Sequence, residues 1–239
     1  MGRQLVILLA VLVMAGCART NWRFAYKPGA PITASPKLPI SVAVFPFKDG
    51  TEDFTSRGSV FNRSLHYNLA KTDSRGQITD LSPDLWAKAF ADDMAASGEF
   101  KSARFVYGQS ELLDEEIYIE GTLIKATFSA YEDANEFALS LRALRRADKQ
   151  LIWEKEVSKT WKNTPVMYDG CGRSAQCTLD LLHAAVNRAM QGLFAEGRAD
   201  LTRTLALLYR NRPGANATSV GAPATQSVNE EIERILKKQ

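Results

Sequence analysis

Alternation of apolar and polar residues predicts most of the strands in this chain. Ile40–Phe47 is instead a continuous apolar run, typical of a buried strand, and Pro46 is expected to mark its end. The other predicted strands are Ala103–Tyr107, Ile117–Tyr131, Glu136–Ala147 and Leu151–Trp161. Asp148-Lys149-Gln150 lies between the last two and predicts a hairpin turn.

Helical spacing of apolar residues predicts a helix at Pro83–Ser97. Ser82 is its candidate N-cap, Pro83 suits the first helical position, and Gly98 suits the position after the last. A weaker pattern predicts a short helix at 58–71.

A long helix is predicted from Leu179 to Tyr209. Gly192 and Gly197 lie inside it, and each costs about 1 kcal/mol relative to alanine. We therefore expect a kink or a break there.

The order of these elements favours an α+β fold. Strands follow one another and the long helix comes last, which predicts an antiparallel-rich mixed sheet of about four or five strands with two main helices on one face. The predicted divisions are a signal peptide at 1–16, a lipidated tether at 17–39, the α+β domain at 40–210, and a low-complexity tail at 211–239 with a possible terminal helix at Asn229–Lys238.

The N-terminus has the pattern of an export signal. The positive start at Arg3 precedes the apolar run Leu5–Met14, and Ala15-Gly16 precede Cys17. This ending resembles a bacterial lipobox, which implies that Cys17 is acylated and becomes the first mature residue. Ala18 follows the cysteine in place of the aspartate that retains lipoproteins in the inner membrane, which implies outer-membrane anchoring on the periplasmic face.

Composition excludes some classes of protein. The 45% hydrophobic and 24% charged residues are ordinary for a globular protein, and a formal net charge of +3 is no footprint for nucleic acid. The apolar run Leu5–Met14 is shorter than the roughly 20 residues that a spanning helix needs. The lipid is therefore the expected anchor.

Two features of the sequence leave alternatives open. The alternating aromatics Trp22, Phe24 and Tyr26 predict either a short edge strand or side chains resting near the lipid headgroups. Arg142, Arg145 and Arg146 form the densest basic patch, which we interpret as a solvated hairpin end in preference to a binding patch.

Cys171 and Cys177 remain once Cys17 is assigned to lipid. Two cysteines in an oxidising compartment predict a disulfide. The competing hypothesis is a free, reactive or metal-binding pair. A thiolate at either position with His183 as base is the best catalytic candidate, but the sequence shows neither a lowered thiol pKa nor a positioned base.

The sequence contains few other candidates for chemistry. Its histidines are His66 and His183, and it has no HExxH, CxxC, phosphate loop or GxSxG. The acidic run Asp114-Glu115-Glu116 predicts a solvated turn in preference to metal ligands. Asp92-Asp93 are expected on the polar face of the Pro83–Ser97 helix. We therefore predict no catalytic residues, no metal and no cofactor.

Five stretches of the sequence carry a family resemblance. They are Val42-Ala43-Val44-Phe45-Pro46-Phe47 leading to Asp49, Ser97-Gly98-Glu99-Phe100, Tyr118-Ile119-Glu120-Gly121-Thr122-Leu123, Leu151-Ile152-Trp153-Glu154-Lys155, and the helix from Leu179. These strings resemble those of a broad group of bacterial envelope lipoproteins. That group includes activators of the LpoB kind, CsgG, the N-terminal domain of TolB, and ABC-transport auxiliary lipoproteins.

The resemblance implies a protein that binds partners and catalyses nothing. The expected partners are another envelope protein or further copies of this chain, and the membrane through the anchor. The predicted function is a protein-interaction or assembly module of the envelope. The alternative is a lipid-anchored ligand-binding protein or hydrolase with an unrecognised site.

Overall fold

The structure is a computed structural model that describes residues 24–31, 37–51, 66–68, 81–130 and 134–210, with the backbone alone at 66–68. Cys17, the signal peptide, the low-complexity tail and the predicted terminal helix lie outside these ranges. The described chain up to Leu201 forms one compact unit, and 202–210 belong to a second. No described helix is both long and apolar enough to cross a membrane.

The described strands form one sheet that contains both parallel and antiparallel pairs. Its order is β4-β1-β5-β6-β7, and two short strands, β2 and β3, also pair with β5. The strands are β1 Leu38–Val44, β2 Lys48–Asp49, β3 His66–Asn68, β4 Phe100–Phe105, β5 Ile117–Ser129, β6 Ala134–Arg145 and β7 Leu151–Lys162. The helices are α1 Pro83–Ser97 and α2 Ala175–Arg210.

The α+β class is confirmed, whereas the antiparallel-rich sheet is wrong. The strand β1 pairs in parallel with β4 and with β5, and β2 also pairs in parallel with β5. Only the β3–β5, β5–β6 and β6–β7 pairs are antiparallel. The sheet is therefore mixed, and it has more strands than predicted. The strands β1 and β4 are parallel because α1 lies between them in the chain and returns it to the end of the sheet at which β1 begins.

The strand β1, which lies between β4 and β5 in the sheet, ends before the predicted boundary. Its residues Ile40, Val42 and Val44 are fully buried, as a strand with parallel neighbours on both sides requires. The strand stops at Val44, two residues before Pro46, whose missing N–H cannot join a ladder. Pairing with β5 resumes at Lys48 in the short strand β2.

The helix α1 has its predicted bounds. It begins with Pro83 and ends at Ser97, and Gly98 follows in the left-handed region with φ 73°. That conformation suits glycine, which has no Cβ to clash. Ser82 occupies the N-cap position, but its side chain makes no capping hydrogen bond.

The helix α2 starts earlier than predicted and continues through both glycines. It runs without a break from Ala175 to Arg210, so a break at the glycines is wrong, whereas a kink there stays a prediction. Gly197 lies so close to the sheet that a Cβ there would be 3.1 Å from Leu141 Cδ1. The residue is glycine because the helix approaches the sheet closely at this point.

The short helix predicted at 58–71 is also wrong where the structure describes it. His66–Asn68 is a strand that pairs with Thr127–Ser129 of β5 in antiparallel orientation. Strand pairing gives these backbone groups long-range partners, which an apolar spacing along the sequence cannot reveal.

Both helices pack on one face of the sheet, as predicted. Trp86 of α1 contacts Phe137 of β6 with ring centroids 5.0 Å apart, and Gly197 of α2 approaches Leu141 on the same face of β6. Phe194 of α2 closes the layer against Phe90 of α1, 5.3 Å away. The opposite face carries a smaller buried cluster, formed by Ala43, Val106, Leu112, Tyr118 and Leu144.

Candidate functional site

Residues Phe24–Lys27, which we call the N-terminal strap, lie against the helices. Phe24 is only 6% exposed, and its ring centroid is 5.6 Å from that of His183 on α2. Neither Phe24 nor Tyr26 belongs to a strand, and Phe24 is buried in protein. Neither alternative from the sequence therefore describes Phe24: this part of the predicted tether is bound to the domain.

Two side-chain amides of α2 form hydrogen bonds with the backbone of the strap at Lys27. Its N–H donates to Asn187 Oδ1 at 2.8 Å, and its carbonyl accepts from Asn187 Nδ2 at 3.1 Å. The same carbonyl accepts from Gln191 Nε2 at 2.9 Å. The two amide side chains thus fix the path of the strap and leave the Lys27 side chain unconstrained by these contacts.

Tyr26 connects the strap to a buried charge cluster formed by Asp93, Glu99 and Arg198. Its hydroxyl donates to Asp93 Oδ1 at 2.7 Å. Arg198 Nη1 pairs with Asp93 Oδ2, and Arg198 Nε donates to Glu99 Oε2 at 2.7 Å. Asp93 is 4% exposed and Arg198 7%, so the expectation that Asp93 lies on a polar face is wrong.

Burial governs the acid–base behaviour of this cluster. Removal from water raises the pKa of Asp93, and the hydrogen bonds from Tyr26 and Arg198 oppose that rise. Burial also raises the pKa of Tyr26, which keeps its hydroxyl protonated as a donor. Every charged member has a partner, as buried charges require.

A groove of about 640 Å³, which we call the strap groove, lies where the strap meets α2. Its lining includes Phe24, Lys27, Asp180, His183, Asn187 and Arg188. His183 Nε2 is buried without a hydrogen-bond partner, and burial lowers the pKa of the imidazole. Burial therefore favours the neutral form of His183.

Neither cysteine forms a nucleophile–base pair with His183. The Cys171 and Cys177 sulfurs are at disulfide distance, with Cα atoms 5.4 Å apart, in the usual range for a bridge. Cys177 lies in the first turn of α2, and His183 is six residues, or about 9 Å, further along the helix. His183 contacts Phe24 instead.

Substituting Cys171 with serine is expected to lower the melting temperature by a few degrees and leave the domain folded. The six-residue separation closes a small loop, for which chain entropy predicts about 2–2.5 kcal/mol, less any strain. Thermal unfolding measures the shift. Cys171→Ser with Cys177→Ser should match either single variant, because both remove one bond. Two alkylated thiols in the non-reduced native protein would contradict the bridge.

The acidic run is held by protein groups. Asp114 accepts hydrogen bonds from Lys101 Nζ at 2.9 Å and Ser41 Oγ at 3.2 Å. Glu115 is buried, so a fully solvated turn is wrong. Burial works against its charged form, but hydrogen bonds from Arg104 and the Leu113 N–H lower the pKa of its carboxyl. No group of three metal-ligating side chains occurs among the described residues.

The basic patch also has partners within the domain. Arg145 donates to Gln150 Oε1 at 2.9 Å and Arg146 to the Leu113 carbonyl at 2.7 Å. Arg142 is 3.5 Å from Glu154 on the neighbouring strand. These contacts favour the hairpin-end interpretation, in which the arginines brace the turn.

The sequence analysis missed the strap groove and the buried charge cluster. One signal was available: Asp93 comes three residues after Phe90 and seven after Trp86, which places it on the apolar face of α1. A charge at such a position calls for a buried partner. No pattern in the sequence named Arg198 as that partner.

Comparisons with known proteins support the fold. No family model matches the chain, and no curated protein matches it. A protein from Xanthomonas campestris, described as DUF330, matches with a TM-score of 0.50 and 11% identity, over 79% of this chain and 98% of its own. The two proteins therefore share a fold.

Two other solved structures match at lower scores. The PelC dodecamer from Paraburkholderia phytofirmans has a TM-score of 0.37 and 10% identity, over 68% of this chain and 92% of its own. A lipoprotein from Neisseria meningitidis has a TM-score of 0.30 and 10% identity, over 62% and 95%. The narrower resemblance to the LpoB, CsgG and TolB group stays a prediction.

Proposed function

We propose that this protein is a lipoprotein anchored in the outer membrane through Cys17, whose periplasmic domain binds another envelope protein and catalyses no reaction. The signal pattern at 1–17 supports the anchor. The strap supports close attachment, because it ties the chain that follows the anchor to both helices of the domain.

One observation carries the proposal of a protein partner. Tyr107 is 71% exposed and Leu113 75%, so two large apolar side chains lie open to solvent. Both follow buried neighbours, Val106 and Leu112, which belong to the small cluster on the helix-free face of the sheet. Contiguous exposed apolar side chains mark interaction surfaces, and we propose that Tyr107 and Leu113 contribute to one such surface.

The backbone beside these side chains is held by hydrogen bonds within the domain. The Tyr107 N–H donates to Glu111 Oε2 at 3.2 Å, and Arg146 Nη1 donates to the Leu113 carbonyl at 2.7 Å. The Tyr107 ring also contacts the Phe105 ring, with centroids 4.9 Å apart. A backbone that is already fixed loses little entropy on binding, which favours a docking role.

Combined substitution of Tyr107 and Leu113 with serine is expected to abolish capture of the partner. Burying each side chain contributes about 1.5–3 kcal/mol, so the pair amounts to two orders of magnitude or more in affinity. Chemical crosslinking in cells, followed by purification and mass spectrometry, measures the complex.

Val166→Ser is the matched control, because Val166 is equally open at 74% but lies on the turn before α2. It should retain the complex. Unchanged crosslinking in a folded Tyr107→Ser, Leu113→Ser variant would contradict the proposed surface.

A second candidate function, ligand binding by an anchored protein, is favoured by the strap groove. Its volume falls within the 300–1,000 Å³ typical of ligand sites. No corresponding observation favours the hydrolase alternative, since the Cys171 and Cys177 sulfurs lie at disulfide distance and a bridged cysteine is not a nucleophile.

A further inference from the structure

We propose that the strap groove binds the phosphate-bearing headgroup of an anionic membrane lipid, with Lys27 and Arg188 as its cationic contacts. This inference rests on the proposed function for one point only, the anchor at Cys17. It assigns to the domain a second, non-covalent contact with the membrane, made by side chains on the strap and on α2.

The charges that line the groove favour an anion. Among the described residues, no carboxylate forms an ion pair with the Lys27 or the Arg188 side chain. Asp180 is the acid among the described lining residues, and its Oδ1 accepts a hydrogen bond from Gln176 at 2.7 Å. The lining thus has an excess of positive charge, and phosphate oxygens are strong acceptors for lysine and arginine.

The strap is what brings Lys27 to this position. Three hydrogen bonds with the side chains of Asn187 and Gln191 fix the Lys27 backbone, so the Lys27 side chain starts from a defined point beside the groove. Arg188 directly follows Asn187 on α2. The same turn of α2 therefore holds the strap and supplies the second cation. Because both cations are attached to this turn, they are kept near each other.

His183 provides an uncharged polar group in the same lining. The buried Nε2 atom has no hydrogen-bond partner among the described residues, and leaving a buried polar atom unsatisfied has a cost. Phe24 packs edge-on against the imidazole and supplies an apolar wall. An amphiphilic ligand matches this combination, with its phosphate near the cations and its glycerol carbons near Phe24.

The length of chain between anchor and groove favours a lipid over free phosphate. Six residues lie between Cys17 and Phe24, and the seven Cα–Cα steps span at most about 25 Å in an extended chain. The anchor therefore keeps the groove within reach of the leaflet surface, where lipid headgroups are at high effective concentration. Free phosphate gains nothing from that tether.

The test is to titrate lipid or phosphate probes into the full-length lipoprotein in neutral detergent. Calorimetry measures the affinity, and the NMR signals of His183 report binding at the groove. The probes are short-chain phosphatidylglycerol, short-chain phosphatidylcholine and inorganic phosphate. Phosphatidylglycerol should bind and shift the His183 signals. Phosphatidylcholine and inorganic phosphate should bind about tenfold more weakly, because each lacks one part of the match.

Variants then identify the side chains that bind. Lys27→Gln and Arg188→Gln should each weaken phosphatidylglycerol about tenfold, the value of a charge-assisted hydrogen bond. Asp180→Asn should tighten binding, a result that a merely structural role would not produce. Lys88→Gln, at an exposed position on α1, is the matched control and should bind as the wild type does.

Unchanged phosphatidylglycerol binding in Lys27→Gln and Arg188→Gln, with unchanged melting temperatures, would overturn the site. Inorganic phosphate binding as tightly as the lipid would overturn the headgroup assignment. Because the titration is carried out in detergent, it is independent of anchoring. Loss of the lipid site and failure of the Cys17 anchor are therefore separate results.

Discussion

Arg198→Met is expected to lower the free energy of unfolding by about 3–5 kcal/mol, the usual cost of removing one partner from a buried ion pair. The substitution keeps an apolar stem of similar length but leaves Asp93 and Glu99 without their cation. Both residues are buried, at 4% and 5% exposed, so water cannot replace the guanidinium. Denaturation in urea, monitored by tryptophan fluorescence, measures the loss.

Arg188→Met is the matched control for this effect. It lies on the same helix, but its side chain is exposed, so its change should stay within about 0.5 kcal/mol. Adding Asp93→Asn and Glu99→Gln to Arg198→Met should recover part of the stability, because no unpaired charge remains. A loss below 1 kcal/mol in Arg198→Met alone would contradict a buried charge cluster.

Cys17→Ser is expected to remove the protein from the outer-membrane fraction. Serine has no thiol to acylate, and no described helix is long and apolar enough to cross a membrane. A single acyl chain binds a membrane with an association constant of only about 10⁴ M⁻¹, so stable anchoring depends on several chains attached at this residue. Cell fractionation with immunoblotting measures the distribution.

Cys171→Ser serves as the control for loss of a cysteine elsewhere and should stay in the outer-membrane fraction. A folded Cys17→Ser protein that still fractionates with the outer membrane would show that the lipobox interpretation is wrong. This result would leave the strap groove untouched, since the groove is built from residues of the folded domain.

Local pattern predicted the elements of this fold better than their arrangement. The helix α1 has its predicted bounds because proline, apolar spacing and glycine all act within one short segment. The hairpin between β6 and β7 was likewise visible, since alternation continues on both sides of the turn at Asp148. The parallel pairing of β1 with β4 and β5 was not, because strand partners are chosen by long-range packing.

Of the features described around the candidate site, the sequence indicated only the pairing of the two cysteines. Counting the cysteines left Cys171 and Cys177 as a pair, and the structure places their sulfurs together. The buried charge cluster joins Asp93 to Arg198, which are 105 residues apart, and the strap joins Lys27 to Asn187, which are 160 apart. One side chain gives no sign of a partner that far along the chain.

The strap has a consequence for the order in which this protein acquires its structure. A chain is synthesised N-terminus first, so Phe24–Lys27 emerge long before Asn187 and Gln191, their partners. The strand β1 is likewise synthesised before its partner β4, which begins at Phe100. Contacts so distant in sequence form slowly. The first segment of the domain to be made is therefore among the last to find its place, and until then its aromatic side chains are open to chaperones and proteases.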